Sequence, residues 1–234
     1  MEHTERILHE LDLAQTALDQ TGQAATGIVR LAIFQTAATA LLPEALGRLA
    51  QENPELTVQV LQREPEAALS HSHTREVDLV VAEQYPHHAV RQFPELDSRP
   101  LTRDPVRLAV PAAAQISSIR EAADWPWVME TRRNASRSWA EHVCRSAGFE
   151  PEVRYEFGDV RMHRDLVSAG RAVALLPGFA LAGCTPSTEG ITLIDLPGCP
   201  TRHIFTSARR DMAPRPGIEA VRHALEQSAC TLTD

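Results

Sequence analysis

The sequence predicts an α/β protein of two lobes preceded by a separate N-terminal helix, and three observations predict it. Short apolar runs rich in Val, Ile and Leu alternate with helical stretches from Ile28 to Ser228, the pattern of strands and covering helices around a largely parallel sheet. The strand–helix units roughly double after residue 105, too many for one five-stranded unit, so two similar lobes are the natural solution. The first twenty or so residues carry a different periodicity and are set apart by the hinge-like stretch Gly22–Gly27.

In that first stretch Thr4, Ile7, Leu11, Ala14, Leu18 and Thr21 recur at alternating spacings of three and four, an a/d pattern with charged residues on the other faces. So narrow an apolar stripe is marginal for an isolated helix, and it predicts a coiled-coil segment that pairs with a partner helix. Beyond the hinge, Ile28–Phe34 reads as a strand, Thr36–Gln51 as a helix, Leu56–Leu61 as a strand and Glu66–His73 as a short helix. Val77–Ala82 is an apolar strand broken only by Asp78, as expected where helices cover both sheet faces. A new set begins near Leu101, with a strand at Arg107–Val110, a helix at Ser117–Ala123 and a short buried strand at Trp127–Met129. Helices follow at Ser136–Ala147 and Val160–Ala169, ended by Gly148 and Gly170, residues suited to a C′ position. Strands at Glu152–Phe157, Ala172–Leu176, Ile191–Asp195 and His203–Ser207 and a closing helix at Ile218–Ser228 complete the chain.

Composition narrows the function. The 234 residues carry a net charge of −8, and all 23 basic residues are Arg. A net-acidic chain without a basic cluster is a poor nucleic-acid binder, because affinity for phosphate backbones comes from concentrated cations. No apolar run is long enough to span a membrane, and the opening Met1-Glu2-His3-Thr4-Glu5 has neither the basic nor the apolar region of an export signal. A cytoplasmic protein is expected. Cys144, Cys184, Cys199 and Cys230 show no Cys-x-x-Cys spacing, so no metal site and no redox pair is expected.

Ligands of open α/β sheets bind beyond the carboxyl ends of strands, at helix N-termini. Four such ends carry suitable groups: Gln35, Thr36 and Ala37 after the first strand; Glu83 and Gln84 after the third; Thr131 and Arg133 within the polar run Glu130–Ser136; and Asp159 before the next helix. Taken singly, Thr36, Ser136, Ser138 and Asp159 are ordinary N-caps, and Ser138-x-x-Glu141 reads as a capping box. Taken together they predict a cleft that accepts an anion between the lobes. Catalytic motifs are missing: there is no Gly-x-Ser-x-Gly, no His-Glu-x-x-His and no phosphate-binding glycine loop. The chain is therefore read as not an enzyme, and no cofactor is expected.

The motifs occur in a familiar order. Gly27-Ile28-Val29-Arg30-Leu31-Ala32-Ile33-Phe34 is followed by Leu41-Leu42-Pro43, Pro54-Glu55-Leu56-Thr57-Val58, Val77-Asp78-Leu79-Val80-Val81 and Asp104-Pro105-Val106-Arg107-Leu108-Ala109-Val110-Pro111. Ala147-Gly148-Phe149-Glu150-Pro151 and Ala169-Gly170-Arg171-Ala172-Val173-Ala174-Leu175-Leu176-Pro177 complete the series. In order and spacing the chain resembles the C-terminal part of LysR-type transcriptional regulators. The resemblance implies a fold like that of type-2 periplasmic binding proteins. Residues 1–22 would be the end of a linker helix that dimerises through Ile7, Leu11, Ala14 and Leu18. Residues 23–234 would be the effector-binding domain, with one lobe from 27–104 and 201–234 and the other from 105–200. A small, carboxylate-bearing effector would bind between the lobes, with Thr36 at the hydroxyl-bearing position of one edge and Thr131 near the matching edge of the other. The implied partners are this effector, further copies of the chain as a dimer or tetramer, and DNA only through a winged helix-turn-helix that these residues do not include. Arg75 and Ala172 stand where the family often has Gly. Two other classes share this fold, a solute-binding protein and an enzyme; an export signal would mark the first and an acid–base pair in the cleft the second.

Overall fold

The computed structural model describes residues 25–71, 76–87, 93–132, 134–182 and 189–233; the segment bearing Ile7, Leu11, Ala14 and Leu18 lies outside the described residues, as does Arg133. In chain order the elements are β1 (Gly27–Ile33), α1 (Gln35–Glu52), β2 (Leu56–Gln62), α2 (Pro65–His71), β3 (Leu79–Gln84), β4 (Leu96–Pro111), β5 (Pro126–Met129), α3 (Ala135–Ser146), β6 (Glu152–Glu156), α4 (Val160–Ser168), β7 (Ala174–Pro177), β8 (Ile191–Ile194), β9 (Thr201–Arg209) and α5 (Pro216–Thr233). The main sheet runs in the order β2-β1-β3-β9-β4-β7, with β8 also on β4. The β5–β6 pair joins it through a bridge between Trp127 and Val173.

Strand β4 organises the molecule. Its first part, Leu96 to Pro105, pairs antiparallel with β9. From Val106 onward it pairs with β7 and β8 instead. The sequence pattern predicts a strand only at Arg107–Val110, because Pro100 and Pro105 interrupt it and proline cannot donate to a ladder. The structure places these prolines where that loss is tolerated: the register shifts between Pro100 and Thr102, and Pro105 stands at the change of partner. The expectation of a largely parallel sheet is corrected here. Only β1–β2, β1–β3 and β5–β6 are parallel. The pairs made by β9 and β4 are antiparallel because these strands carry the chain in opposite directions between the two ends of the molecule. The helix expected at Ser117–Ala123 is a single 3-10 turn at Ile119–Ala122.

The apolar residues gather at each end of β4. Around β1, Ala37, Leu41, Ala45 and Leu49 form a stripe with period four along α1 and meet Ile218, Val221 and Leu225 of α5. At the other end Trp127, Trp139, Cys144 and Val173 pack with Val106 and Leu108, and Val167, Ala174 and Leu176 fill the space under α4. Two aromatic side chains cross over: Tyr85 joins the second group and Phe179 the first. Helices α3 and α4 stop alike. Phe149 N donates to Cys144 O and Gly148 N to Arg145 O; Arg171 N donates to Leu166 O and Gly170 N to Val167 O. Both glycines have positive φ, 98° and 70°, the left-handed residue that this helix ending requires. Each stop fixes how the following strand, β6 or β7, leaves its helix.

Candidate functional site

A cleft of about 680 Å³, counting space open to solvent, lies where β4 changes partners. It is walled by the first turns of α1, α3 and α4 and the carboxyl ends of β3 and β5, where an open α/β sheet places its ligands.

Arg202, near the start of β9, forms the floor. Only 3% of its side chain is exposed. Nε and Nη2 both reach Asp104 Oδ2, at 2.8 and 2.7 Å. Nη2 also donates to Thr36 Oγ1 at 2.8 Å, while Nη1 faces Tyr85 Oη at 3.5 Å and pairs with Glu83. The rings of Phe34 and Phe179 flank the guanidinium at 5.2 and 5.7 Å. A buried cation persists only when its charge is matched and its donors are occupied, and here both conditions hold. Asp104 is fixed in turn by Phe179 N at 3.2 Å. A Cβ on Gly178 would stand 2.6 Å from Asp104 Oδ1, so glycine is what lets that turn approach the carboxylate.

Thr36 is buried, and because it accepts from Arg202 its own O–H proton remains to donate. The first intrahelical bond of α1 runs from Ala38 N to Phe34 O. Phe34 offers no capping side chain, and no acidic residue lies in the first turn. The N–H groups before Ala38 and the positive end of the helix dipole thus carry no anion from the helix itself. Gln35 closes one side of the cleft: Nε2 donates to Asp159 Oδ1 at 2.6 Å and Oε1 accepts from Val160 N at 3.1 Å. Asp159 also caps α4 by accepting from Arg161 N at 2.9 Å.

On the opposite wall Arg137 of α3 is as buried as Arg202. It donates to Glu141 Oε1 at 2.6 Å and to the Glu130 carbonyl at 3.0 Å, with Glu156 at 3.5 Å. Glu141 is therefore a partner of Arg137, and Asn134 rather than Ser138 holds the N-cap position. The Glu130 carboxylate accepts from Ser136 Oγ and, at 3.4 Å, from Asn134 Nδ2. His163 of α4 is buried; its Nε2 lies 2.8 Å from the Phe157 carbonyl, and burial lowers its pKa against the pull of that carbonyl and of Glu130. Burial raises the Glu83 carboxyl to about 7, against the Arg202 charge and with further upward pressure from Glu130 and Glu64. Loss of water contact and then the Glu130 charge raise the Glu64 carboxyl.

Of the residues singled out from sequence, Gln35, Thr36 and Glu83 line the cleft together. Asp159 stands at its edge through Gln35. Ala37 is buried in the core, Gln84 lines a separate groove beside His203 and Phe205, and Thr131 is exposed with its hydroxyl 3.3 Å from Asn134 Oδ1. Sequence reasoning passed over Arg202, Arg137, Glu64 and His163. For Arg202 a signal existed: an arginine just inside the apolar strand Thr201–Arg209, where an unpaired cation is not stored.

Two core groups with a polar cleft between them define a small-molecule-binding fold of the periplasmic-binding-protein type. The chain belongs to the family of the LysR substrate binding domain, which matches residues 22–229, the effector-binding part of LysR-type transcriptional regulators. It is 24% identical to the transcriptional dual regulator GltC of Bacillus subtilis over 218 residues, 91% of this chain and 71% of that one. It is 21% identical to the DNA-binding transcriptional dual regulator OxyR of Escherichia coli over 180 residues, spanning 57% of its length. These relatives are regulators rather than enzymes. Among solved structures, the reduced form of OxyR from N. meningitidis has a TM-score of 0.69 at 20% identity, over 86% of this chain and 95% of that one. HinK, a LysR family transcriptional regulator from Pseudomonas aeruginosa, has a TM-score of 0.72 at 18% identity, over 98% and 81%. No helix among the described residues is long and apolar enough to cross a membrane.

Proposed function

We propose that residues 27–104 with 201–234 and residues 105–200 act as two lobes that close on a small carboxylate-bearing effector, and that this closure controls DNA binding and transcription by the regulator. The N-terminus of α1 carries the reading. It is uncapped, has no acid in its first turn and opens into the cleft beside the Thr36 hydroxyl. Backbone N–H groups, a helix dipole and a hydroxyl donor form a carboxylate site. Thr36 and the backbone of Gln35 and Ala37 hold the anion, Glu83 acts through Arg202, and Thr131, Arg133 and Asp159 belong to the facing edge. A ligand that binds the closed arrangement better shifts the population toward it. Pairing through Ile7, Leu11, Ala14 and Leu18 in a cytoplasmic dimer or tetramer passes that shift to a DNA-binding segment.

The test is a thermal-shift screen against small carboxylates, repeated on Thr36→Ser and Thr36→Val. A binder raises the melting temperature by mass action. The expected result is a shift kept by Thr36→Ser and largely lost by Thr36→Val. Because Thr36 also accepts from Arg202, Thr36→Val costs about 1–2 kcal/mol of stability as well, read from urea melts without ligand. A shift that survives Thr36→Val refutes the carboxylate site.

A further inference from the structure

We infer that the effector also carries a protonated nitrogen, held between Glu130 on the wall facing α1 and Glu64 beside the start of α1, so that the cleft selects a zwitterion of the amino-acid class over a dicarboxylate. This rests on the cleft reading above and adds to it the other end of the ligand.

The first observation is the balance of donors and acceptors. The cleft wall holds two arginines; the protein engages every donor nitrogen of Arg202, and Nε and Nη1 of Arg137. Arg202 is held by Asp104, Glu83, Tyr85 and Thr36; Arg137 is held by Glu141, Glu156 and the Glu130 carbonyl. Arg202 has no donor left for a second anion. The carboxylates are in the opposite state. Glu64 makes no side-chain hydrogen bond or ion pair among the described residues. Glu130 has no cation within salt-bridge distance there, and accepts one bond on each oxygen. An ionised carboxylate has about four acceptor positions, so Glu130 keeps capacity toward the cleft. Glu64 and Glu83 both feel the Glu130 charge, which raises each of them. A second ligand carboxylate near these acids would add to that repulsion, whereas an ammonium would relieve it.

The second observation is independent of the acids. His163 is 3% exposed and lines the cleft. Its Nε2 is taken by the Phe157 carbonyl, which fixes the proton on that nitrogen and leaves Nδ1 a lone-pair acceptor. Nδ1 has no partner among the described residues, and it is not among the atoms sealed from solvent. A buried side chain lining the cleft with one unmatched acceptor is suited to a hydrogen-bond donor on the ligand, which an ammonium supplies. The bland alternative makes Glu130 a cap for α3. It explains the Ser136 contact, but not the His163 nitrogen left without a partner among the described residues; Glu64 is exposed, so water satisfies it as well.

The test uses three five-carbon probes of equal length, 5-aminopentanoate, glutarate and 1,5-diaminopentane, with the common α-amino acids as further zwitterions. Each is titrated by calorimetry into the 234-residue chain and into Glu130→Gln, Glu64→Gln and Thr36→Val. A zwitterion should bind the wild-type chain best. Glu130→Gln should weaken it by about tenfold or more, the loss expected for one charge-assisted bond, and should strengthen glutarate. A glutarate preference that Glu130→Gln leaves unchanged overturns the ammonium site while the carboxylate cleft stands. Binding of the diamine alone, indifferent to Thr36→Val, removes the carboxylate reading and with it the zwitterion selectivity. Failure of every zwitterion at millimolar concentration overturns the inference. Unchanged melting temperatures of the Gln variants without ligand separate lost binding from lost fold.

Discussion

Arg202 and Arg137 stand on opposite walls of one cleft, each with 3% of its side chain exposed, and are neutralised in different ways. Arg202 draws its partners from across the chain: Asp104, Glu83 and Thr36 lie 98, 119 and 166 residues away in sequence. Arg137 finds Glu141 one helical turn away and the Glu130 carbonyl seven residues back. Asp104 is almost as buried as Arg202, at 2%, whereas Glu141 and Glu156 reach water at 22% and 46%. The first arrangement ties β3, β4, β9 and α1 into one unit. The second holds one helix to its own approach. The helix ends differ in the same sense: α4 is capped by its own Asp159, whereas α1 is left without an anion.

The sharpest way to break this comparison is to remove each cation in turn. Arg202→Met strands Asp104 in the interior without a counter-charge, and should cost about 3–5 kcal/mol. Arg137→Met leaves carboxylates that water can solvate, so a loss of about 1–2 kcal/mol is expected. Urea unfolding midpoints measure both, and equal losses would show that the two walls carry the same load. An effect below that of Arg202→Met comes from Glu83. Burial places its carboxyl near 7 in the folded protein, above the ordinary 4.5 of the unfolded chain. The folded state therefore holds the proton more tightly. The resulting cost is absent below about pH 4.5, grows as the pH rises to about 7 and is complete above that. It amounts to roughly 3 kcal/mol at most. Glu83→Gln should flatten the fall in stability between pH 5 and 8; an unchanged slope would mean that other groups set it.

The same contrast explains what the sequence revealed. Local features were legible: the glycine stops of α3 and α4, the period-four stripe of α1 and the Asp159 cap each depend on residues within one or two turns. Gln35, Thr36 and Glu83 were legible as site residues because strand ends precede helix starts, and the fold places such ends together. Arg202 was not, since its partners are set by the antiparallel pairing of β4 with β9, and Pro100 and Pro105 hid most of β4. Ala37 and Gln84 show the converse limit. Each adjoins a cleft residue in sequence, but a one-residue step turns the side chain into the core from a helix or to the far face from a strand. Thr131 shares a loop with Glu130, yet it is Glu130 that the α3 turn draws inward through Ser136.

The smallest expected effect tests whether the two walls are coupled. Gln35 and Asp159 lie 124 residues apart, and the bond between them is the direct side-chain link from the start of α1 to the start of α4. Asp159→Ala removes this link and the α4 cap but leaves Gln35 Oε1 accepting from Val160 N, whereas Gln35→Leu removes both Gln35 bonds to α4 and spares the cap. Loss of a cap costs about 0.5–2 kcal/mol, and an exposed side-chain bond contributes less. Asp159→Ala should therefore lower stability by about 1 kcal/mol and Gln35→Leu by about half of that. Gln35→Leu, which releases both bonds to α4, should widen the cleft at least as much as Asp159→Ala, which keeps the Val160 bond, and small-angle scattering of the ligand-free chain reads this as an increase in radius of gyration. An increase in Asp159→Ala alone would assign cleft width to the capped helix rather than to the link between the walls.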